Sequence, residues 1–246
     1  MSFNFKYKFL MASYISKFMN KKKNFNKILL YHKVIDQFNN DIFSVDQNSF
    51  FDQINFLYEK KFNVVNLKKN HIGDKNISIT FDDGYLNNFN PASKILKKFG
   101  FPATFFINTS KIDKDKNYLT SSLIKEMDTD IFDFGIHGHN HLSFCDLSNS
   151  EIKNQIYNCK SFLEDLLQKK IDTLSYPNGS LDSRVKEVVR SCQISFAYDS
   201  TNKSYKSLSA DFDYLQIPRI SIWNLDNIRS FNNKLYGKWD WISYIS

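Results

Sequence analysis

The stretch NISITFDDGYLNNFNPASKILKKFGFPATFFIN (residues 76–108) decides how this chain folds. It opens on a short apolar run, Asn76 to Phe81, with the β-branched residues of a buried strand. The run ends on two adjacent carboxylates, Asp82 and Asp83, and a glycine. The segment NPASKILKKFG then has helical character and stops at Gly100, the residue that best terminates a helix. PATFFIN (102–108) is a second strand. Two strands joined through a helix pair in parallel, because a crossover brings the chain back to the same end of the sheet.

The alternation continues in both directions. KILLYHKV (27–34) is strand-like, and residues 49–62 place Phe50, Ile54, Leu57 and Tyr58 at helical spacing. FNVVNL (62–67) is strand-like, and 119–127 is helical. DIFDFGIHGHNH (130–141) is a strand running into a loop. Ser148 and Glu151 form a capping box, which opens a helix with Ile152, Ile156, Cys159, Leu163 and Leu166 on one face. A strand and turn is expected at 173–179, strands at 194–200 and 214–223, and helices at 182–193 and about 224–235. This is an α/β pattern of about seven strand–helix units, which suits a closed barrel better than an open sheet. No linker interrupts it. The chain divides into a basic amphipathic segment, residues 1–25, and a single domain, residues 26–246.

The 246 residues are 42% hydrophobic and 16% aromatic, enough for a sizeable core. The net charge of +7 comes mainly from scattered lysines, and the chain is equally rich in Asn, Ile, Phe and Tyr, a composition typical of an A+T-rich genome. No nucleic-acid-binding module accompanies the charge, so no nucleic acid is expected as partner. Cys145, Cys159 and Cys192 are odd in number and widely spaced, which suggests neither a disulfide framework nor a zinc knuckle. A reducing compartment suits them. No apolar run is long enough to span a membrane. In the first residues, Tyr7, Leu10, Met11, Tyr14, Ile15 and Phe18 share one helical face among lysines. Such a face lies on an anionic membrane surface or packs against the domain. The segment makes a poor export signal. The expected location is therefore cytoplasmic, with peripheral contact through residues 1–24 at the inner face of the membrane.

Two places carry chemistry. Adjacent carboxylates at a strand end repel each other, and a bound cation relieves the cost by taking one as a ligand while the other serves as a base. GIHGHNH (135–141) offers His137 and His141 at a spacing that one turn can aim at a single ion. Two histidines and a carboxylate form a zinc set that leaves a position for water. His139, two residues from each, is expected to point away. His32 ends the first strand, and a barrel would bring it to the same rim. The turn SYPNG (175–179) could offer backbone N–H groups to an oxyanion.

The set ISITFDDGY, GIHGHNHLSF and LSYPNGSLD, in this order, resembles the polysaccharide deacetylases, the NodB-type domain of carbohydrate esterase family 4. LLYHKV followed by SFFDQINFLYEKKFNVVNL is similar to the leading segment of one branch, which includes poly-N-acetylglucosamine deacetylases. The resemblance covers about residues 28–222. It implies a distorted (β/α)7 barrel and removal of an acetyl group from an N-acetylated sugar, or less commonly an O-acetyl group, with a divalent metal ion, Zn2+ foremost. It implies Asp82 as general base and Asp83, His137 and His141 as metal ligands. It also implies an oxyanion contact in the turn at Tyr176–Gly179, from the N–H of Asn178. Many relatives carry an arginine at the position of Ser175 to orient the base, and a late histidine as general acid. This chain has neither, and the branch assigns the acid to the histidine matching His32. Arg219 matches a frequent family arginine to which the resemblance gives no defined role; with Asn178 and Tyr176 it is expected on the oxyanion or substrate side of the site. The expected substrate is an N-acetylated sugar or oligosaccharide, in one reading lipid-linked, used in surface-polysaccharide biosynthesis. The competing expectation is a glycan-binding protein that keeps the fold without turnover.

Overall fold

The computed structural model describes residues 3–16, 18–19, 26–37, 39–70, 75–205 and 212–241. The lysine run 21–23 lies outside them. Ten strands are present among the described residues: β1 (Lys27–Tyr31), β2 (Lys33–Ile35), β3 (Ser44–Asp46), β4 (Asn63–Val64), β5 (Asn76–Phe81), β6 (Ala103–Ile107), β7 (Phe132–Ile136), β8 (Thr173–Ser175), β9 (Phe196–Tyr198) and β10 (Ile220–Ser221). The helices are α1 (Phe3–Ile15), α2 (Gln47–Glu59), α3 (Lys94–Phe99), α4 (Ser121–Met127), α5 (Asn149–Leu167), α6 (Ser183–Ser191) and α7 (Ile228–Leu235).

The main sheet runs β10-β1-β5-β6-β7-β8-β9, with β4 added to β5. Every pairing in it is parallel. Parallel strands covered on both faces are apolar throughout, and every residue of β1, β5 and β6 is buried. The sheet curls until its ends meet. Tyr198 forms a parallel bridge with Ile217, and the Asn202 N–H donates to the Arg219 carbonyl. The result is the distorted barrel expected from the β/α alternation.

The helices lie where their apolar faces predict. Asp46 caps α2, whose Phe50, Ile54 and Leu57 enter the core beside stacked Phe81 and Phe105, with ring centroids 5.0 Å apart. The capping box at Ser148 and Glu151 is formed, and Ile152, Ile156, Cys159 and Leu163 of α5 are buried. Burial pushes the Cys159 thiol up to about 12, so it packs as an inert apolar group.

Several expected strands are shorter than the sequence suggests; the run 194–200 contributes only Phe196–Tyr198. The run 62–67 contributes only Asn63 and Val64, because the Asn66 side chain accepts from the Lys68 N–H and starts a 3₁₀ turn. The run 214–223 contributes only Ile220 and Ser221. Pro218 has no N–H to give to a ladder, so the chain meets β9 at Ile217 and then shifts to β1.

Helix α1 packs against the domain. Phe9 and Ala12 are buried, with Phe9 edge-on to Trp239 at 5.0 Å and to Trp223 at 6.2 Å. The Asn233 amide and the Lys238 ammonium reach Ser16.

Gly135, in β7, shows how tightly the barrel wall is packed. A Cβ there would lie 2.5 Å from the Phe106 ring and 2.9 Å from Thr173 Oγ1. Gly135→Ala should destabilise the fold by about 1–3 kcal/mol through overpacking, read as a lower denaturant midpoint.

Candidate active site

The C-terminal ends of β1, β5, β7 and β8 open into a cleft of about 390 Å³. His32 follows β1, Asp82 and Asp83 follow β5, His137 follows β7, and Tyr176 follows β8. All of them line it, with His141, Asn178 and Arg219. Every site residue expected from sequence is thus brought to one cavity.

The loops that carry these groups take backbone conformations available to few side chains. Asp83 has φ 75° and His141 φ 57°, and Gly84 and Gly138 have φ 78° and 73°. A non-glycine residue held at positive φ requires surroundings that over-determine it, and such residues cluster at functional sites. At Gly84 even a Cβ would press on Ile107, at 3.1 Å. The turn after Asp83 is therefore wedged against β6.

Asp83, His137 and His141 converge. Their ligand atoms lie within 4.8 Å of one another. Asp83 Oδ1 is 3.1 Å from His141 Nε2 and 3.4 Å from His137 Nε2. That oxygen is buried yet accepts no well-aligned hydrogen bond. The His137 Nδ1 contacts the Ser175 carbonyl at 2.9 Å. A carbonyl can only accept, so Nδ1 carries the proton and Nε2 presents its lone pair to Asp83's side of the cleft. Burial works against charge on His137, but Asp82 and Asp83 outweigh it and raise the imidazole. The pocket therefore favours a cation at this point, and a divalent ion fits the donor set. Burial also works to raise the Asp83 carboxyl, and the two imidazoles bring it well below the usual range.

Asp82 has different surroundings. Its two oxygens receive parallel bonds of 2.7 Å from Arg219 Nη1 and Nη2, and the Ser175 hydroxyl donates to Oδ2 at 2.8 Å. Burial opposes ionisation, and Arg219, with His137 next, overrides it and holds the carboxyl below its ordinary value. Asp82 Oδ2 stands 3.8 Å from His137 Nε2, on the edge of the metal-type cluster.

Arg219, in the cleft wall, is taken up by protein partners: the side chain is 1% exposed and its five N–H groups are committed. Besides Asp82 it reaches the Asp199 carbonyl, Thr80 Oγ1 and Ser175 Oγ. It stands one residue before β10, below the strand ends, and orients Asp82 from inside the barrel. Ser175, small and hydrogen-bonded to both partners, occupies the place where many relatives carry the arginine. Ser175 and Arg219 are distant in sequence, which is why the pairing was not legible there.

His32 is half-buried against Phe43, ring centroids 4.7 Å apart, and its Nδ1 is buried without a partner. Burial lowers the imidazole although Asp83 and Asp82 pull it up. The Asn88 amide holds the His32 carbonyl at 2.8 Å. Asn178 has φ 57°, and the turn's own bonds run from the N–H groups of Gly179 and Ser180, leaving the Asn178 N–H outside them. Tyr176 lines the cleft through its ring, while its hydroxyl donates to the Leu215 carbonyl at 2.8 Å. His139 turns away, its Nδ1 2.9 Å from Thr109 Oγ1.

Residues 69–197 match the sequence profile of the polysaccharide deacetylases. The chain belongs to this family, the NodB-type hydrolases of carbohydrate esterase family 4. A poly-β-1,6-N-acetyl-D-glucosamine N-deacetylase of Staphylococcus epidermidis is 26% identical over 202 residues, 74% of this chain and 69% of that protein. The YxkH protein of Bacillus subtilis is 26% identical over 160 residues, and the match spans only 56% of its length. Among solved structures, the deacetylase PplD of Streptococcus pyogenes superposes with a TM-score of 0.78 at 20% identity, covering 86% of this chain and 98% of that one. IcaB from Ammonifex degensii gives 0.74 at 18% identity, covering 88% and 98%. At these identities the two structures establish the deacetylase barrel.

Two outcomes are expected of the site. Arg219→Met leaves the Asp82 carboxylate buried without its partner and should cost about 3–5 kcal/mol in denaturant unfolding, of which Asp82→Asn in the same chain recovers part. Metal analysis after incubation with divalent ions should find His137→Ala depleted of bound metal and His139→Ala retaining it.

Proposed function

We propose that this deacetylase hydrolyses the N-acetyl group, less readily an O-acetyl group, of a sugar in a glycan or glycan precursor, and depends on a divalent metal ion, most simply Zn2+. The observation that carries the reading is the pairing of two differently held carboxylates: Asp83 converging with His137 and His141, and Asp82 locked beside them by Arg219. The sugar class comes from the named activity of the staphylococcal relatives.

Asp83, His137 and His141 would hold the ion, which when bound supplies Lewis acidity toward the acetyl carbonyl and lowers the pKa of water. The remaining work falls to this chain's own groups. Asp82, kept ionised by Arg219, takes a proton from the water that attacks the acetyl carbon. The Asn178 N–H offers a bond to the oxyanion that develops there. The C–N bond then breaks, and His32 Nδ1, the unpartnered atom in the cleft wall, serves the departing amine as its proton source. Acetate and a free amino sugar leave. Because burial keeps His32 neutral at rest, it must collect a proton before it gives one, and the proton removed through Asp82 is the available supply.

The competing reading, a glycan-binding protein without turnover, rests on the absent arginine at position 175 and the absent late histidine. Arg219, just before β10, fills the electrostatic need of the first, which weighs against that reading. The reading extends to a surface-polysaccharide precursor, lipid-linked, handled at the inner face of the membrane.

Acetate release from N-acetylglucosamine oligomers tests the proposal. Chelation should abolish release and added Zn2+ restore it. Asp82→Asn should reduce it by about 10²–10⁴-fold, the usual worth of a general base, with metal content unchanged. No acetate from metal-loaded protein on any N- or O-acetylated glycan would overturn it.

A further inference from the structure

Among the described residues, helix α1 buries apolar side chains on one face and exposes others on another. Phe9 and Ala12 are buried against the domain. Around the rest of the helix and the turn after it, Tyr7, Leu10, Met11, Tyr14 and Phe18 are 60%, 58%, 47%, 62% and 75% exposed. Five large apolar side chains on one short segment form an exposed patch, which soluble surfaces rarely carry without a use.

The charge of the sequence that carries these residues argues for one occupant. The first 25 residues contain Lys6, Lys8, Lys17, Lys21, Lys22 and Lys23, and no Asp or Glu occurs before Asp36. Lys6, Lys8 and Lys17 alternate in sequence with the exposed apolar residues. Apolar side chains interleaved with lysine, free of acid, suit the boundary between anionic headgroups and acyl chains. A second protein copy would bring the same six positive charges and repel.

The seat of the helix is built of aromatic rings around a buried ion pair and adjoins the wall of the cleft. Lys234, buried and ion-paired to Asp226, sits 3.8 Å from the Trp223 ring and 4.8 Å from the Trp239 ring, the two rings that hold Phe9. Trp223 lies two residues beyond Ser221, which lines the cleft. The Asn224 N–H bonds the Ile42 carbonyl, next to cleft residue Phe43.

We infer that the outer face of α1 is a docking surface for an anionic lipid bilayer, and that it holds the cleft against the membrane so that its glycan substrate is taken from the membrane surface. The glycan's identity rests on the deacetylase reading; the docking does not.

The full chain should be sedimented with vesicles of equal parts phosphatidylcholine and phosphatidylglycerol, and with phosphatidylcholine alone. Binding is expected to the anionic vesicles only, weakening as salt rises. Leu10→Ser/Met11→Ser/Tyr14→Ser should lower partitioning at least tenfold, while the thermal midpoint and acetate release from a soluble oligosaccharide stay at wild-type values. A second variant, Lys6→Gln/Lys8→Gln/Lys17→Gln, leaves the apolar face intact and should also weaken binding. Absence of vesicle binding, equal binding to neutral vesicles, binding unchanged by the serine variant, or a dimer in light scattering that the serine variant dissolves would each overturn the docking. Vesicle binding is read without substrate. Its failure alongside normal acetate release sinks the docking alone, and lost acetate release with normal binding sinks only the deacetylase reading.

Discussion

Arg219 and Asp82 hold each other inside the barrel through two parallel bonds of 2.7 Å, and the rest of the site is arranged around that pair. Both side chains are almost fully buried. Two charges so placed lose much hydration, and their mutual attraction repays the loss only with good geometry and with the remaining polar atoms satisfied. Here both conditions hold. The fork is bidentate, Ser175 and Thr80 take further bonds, and the Asp199 carbonyl receives the last N–H. The fork also joins the end of β5, through Thr80 and Asp82, to Ser175 of β8 and to Asp199 just after β9, so it ties together three strands of the wall.

This arrangement separates the fates of two neighbouring carboxylates. Asp82 is saturated by donors and kept ionised without a metal. Asp83, one residue on and turned by its positive φ, meets two imidazole nitrogens instead and keeps an oxygen with no aligned donor. One carboxylate is thus fully hydrogen-bonded and the other left open toward two imidazoles, although the residues are chemically identical. The difference lies in what each is allowed to touch.

Much of this was legible before the structure. The strand Asn76–Phe81, the βαβ unit that follows, the capping box at Ser148 and Glu151, and the H-x3-H pair all follow from local pattern. What failed were the ends of strands. The run 214–223 is apolar and β-branched, but Pro218 removes a donor, and the chain changes partner there rather than continuing one ladder. Arg219 sits at that change, and its role was hidden for the same reason. The segment is neither simple strand nor loop, and its partner is 137 residues away.

The sequence by itself determined the β/α alternation, the family, and the identity of the groups able to bind a cation or move a proton, because these depend on residue type and short-range spacing. Only the tertiary structure decided which arginine holds Asp82, that His139 turns to Thr109 while its neighbours converge on Asp83, and that α1 buries Phe9 while leaving other apolar side chains in the open. Each of those depends on which distant strands become adjacent when the sheet curls. Barrel closure sets that adjacency, and no local pattern encodes it.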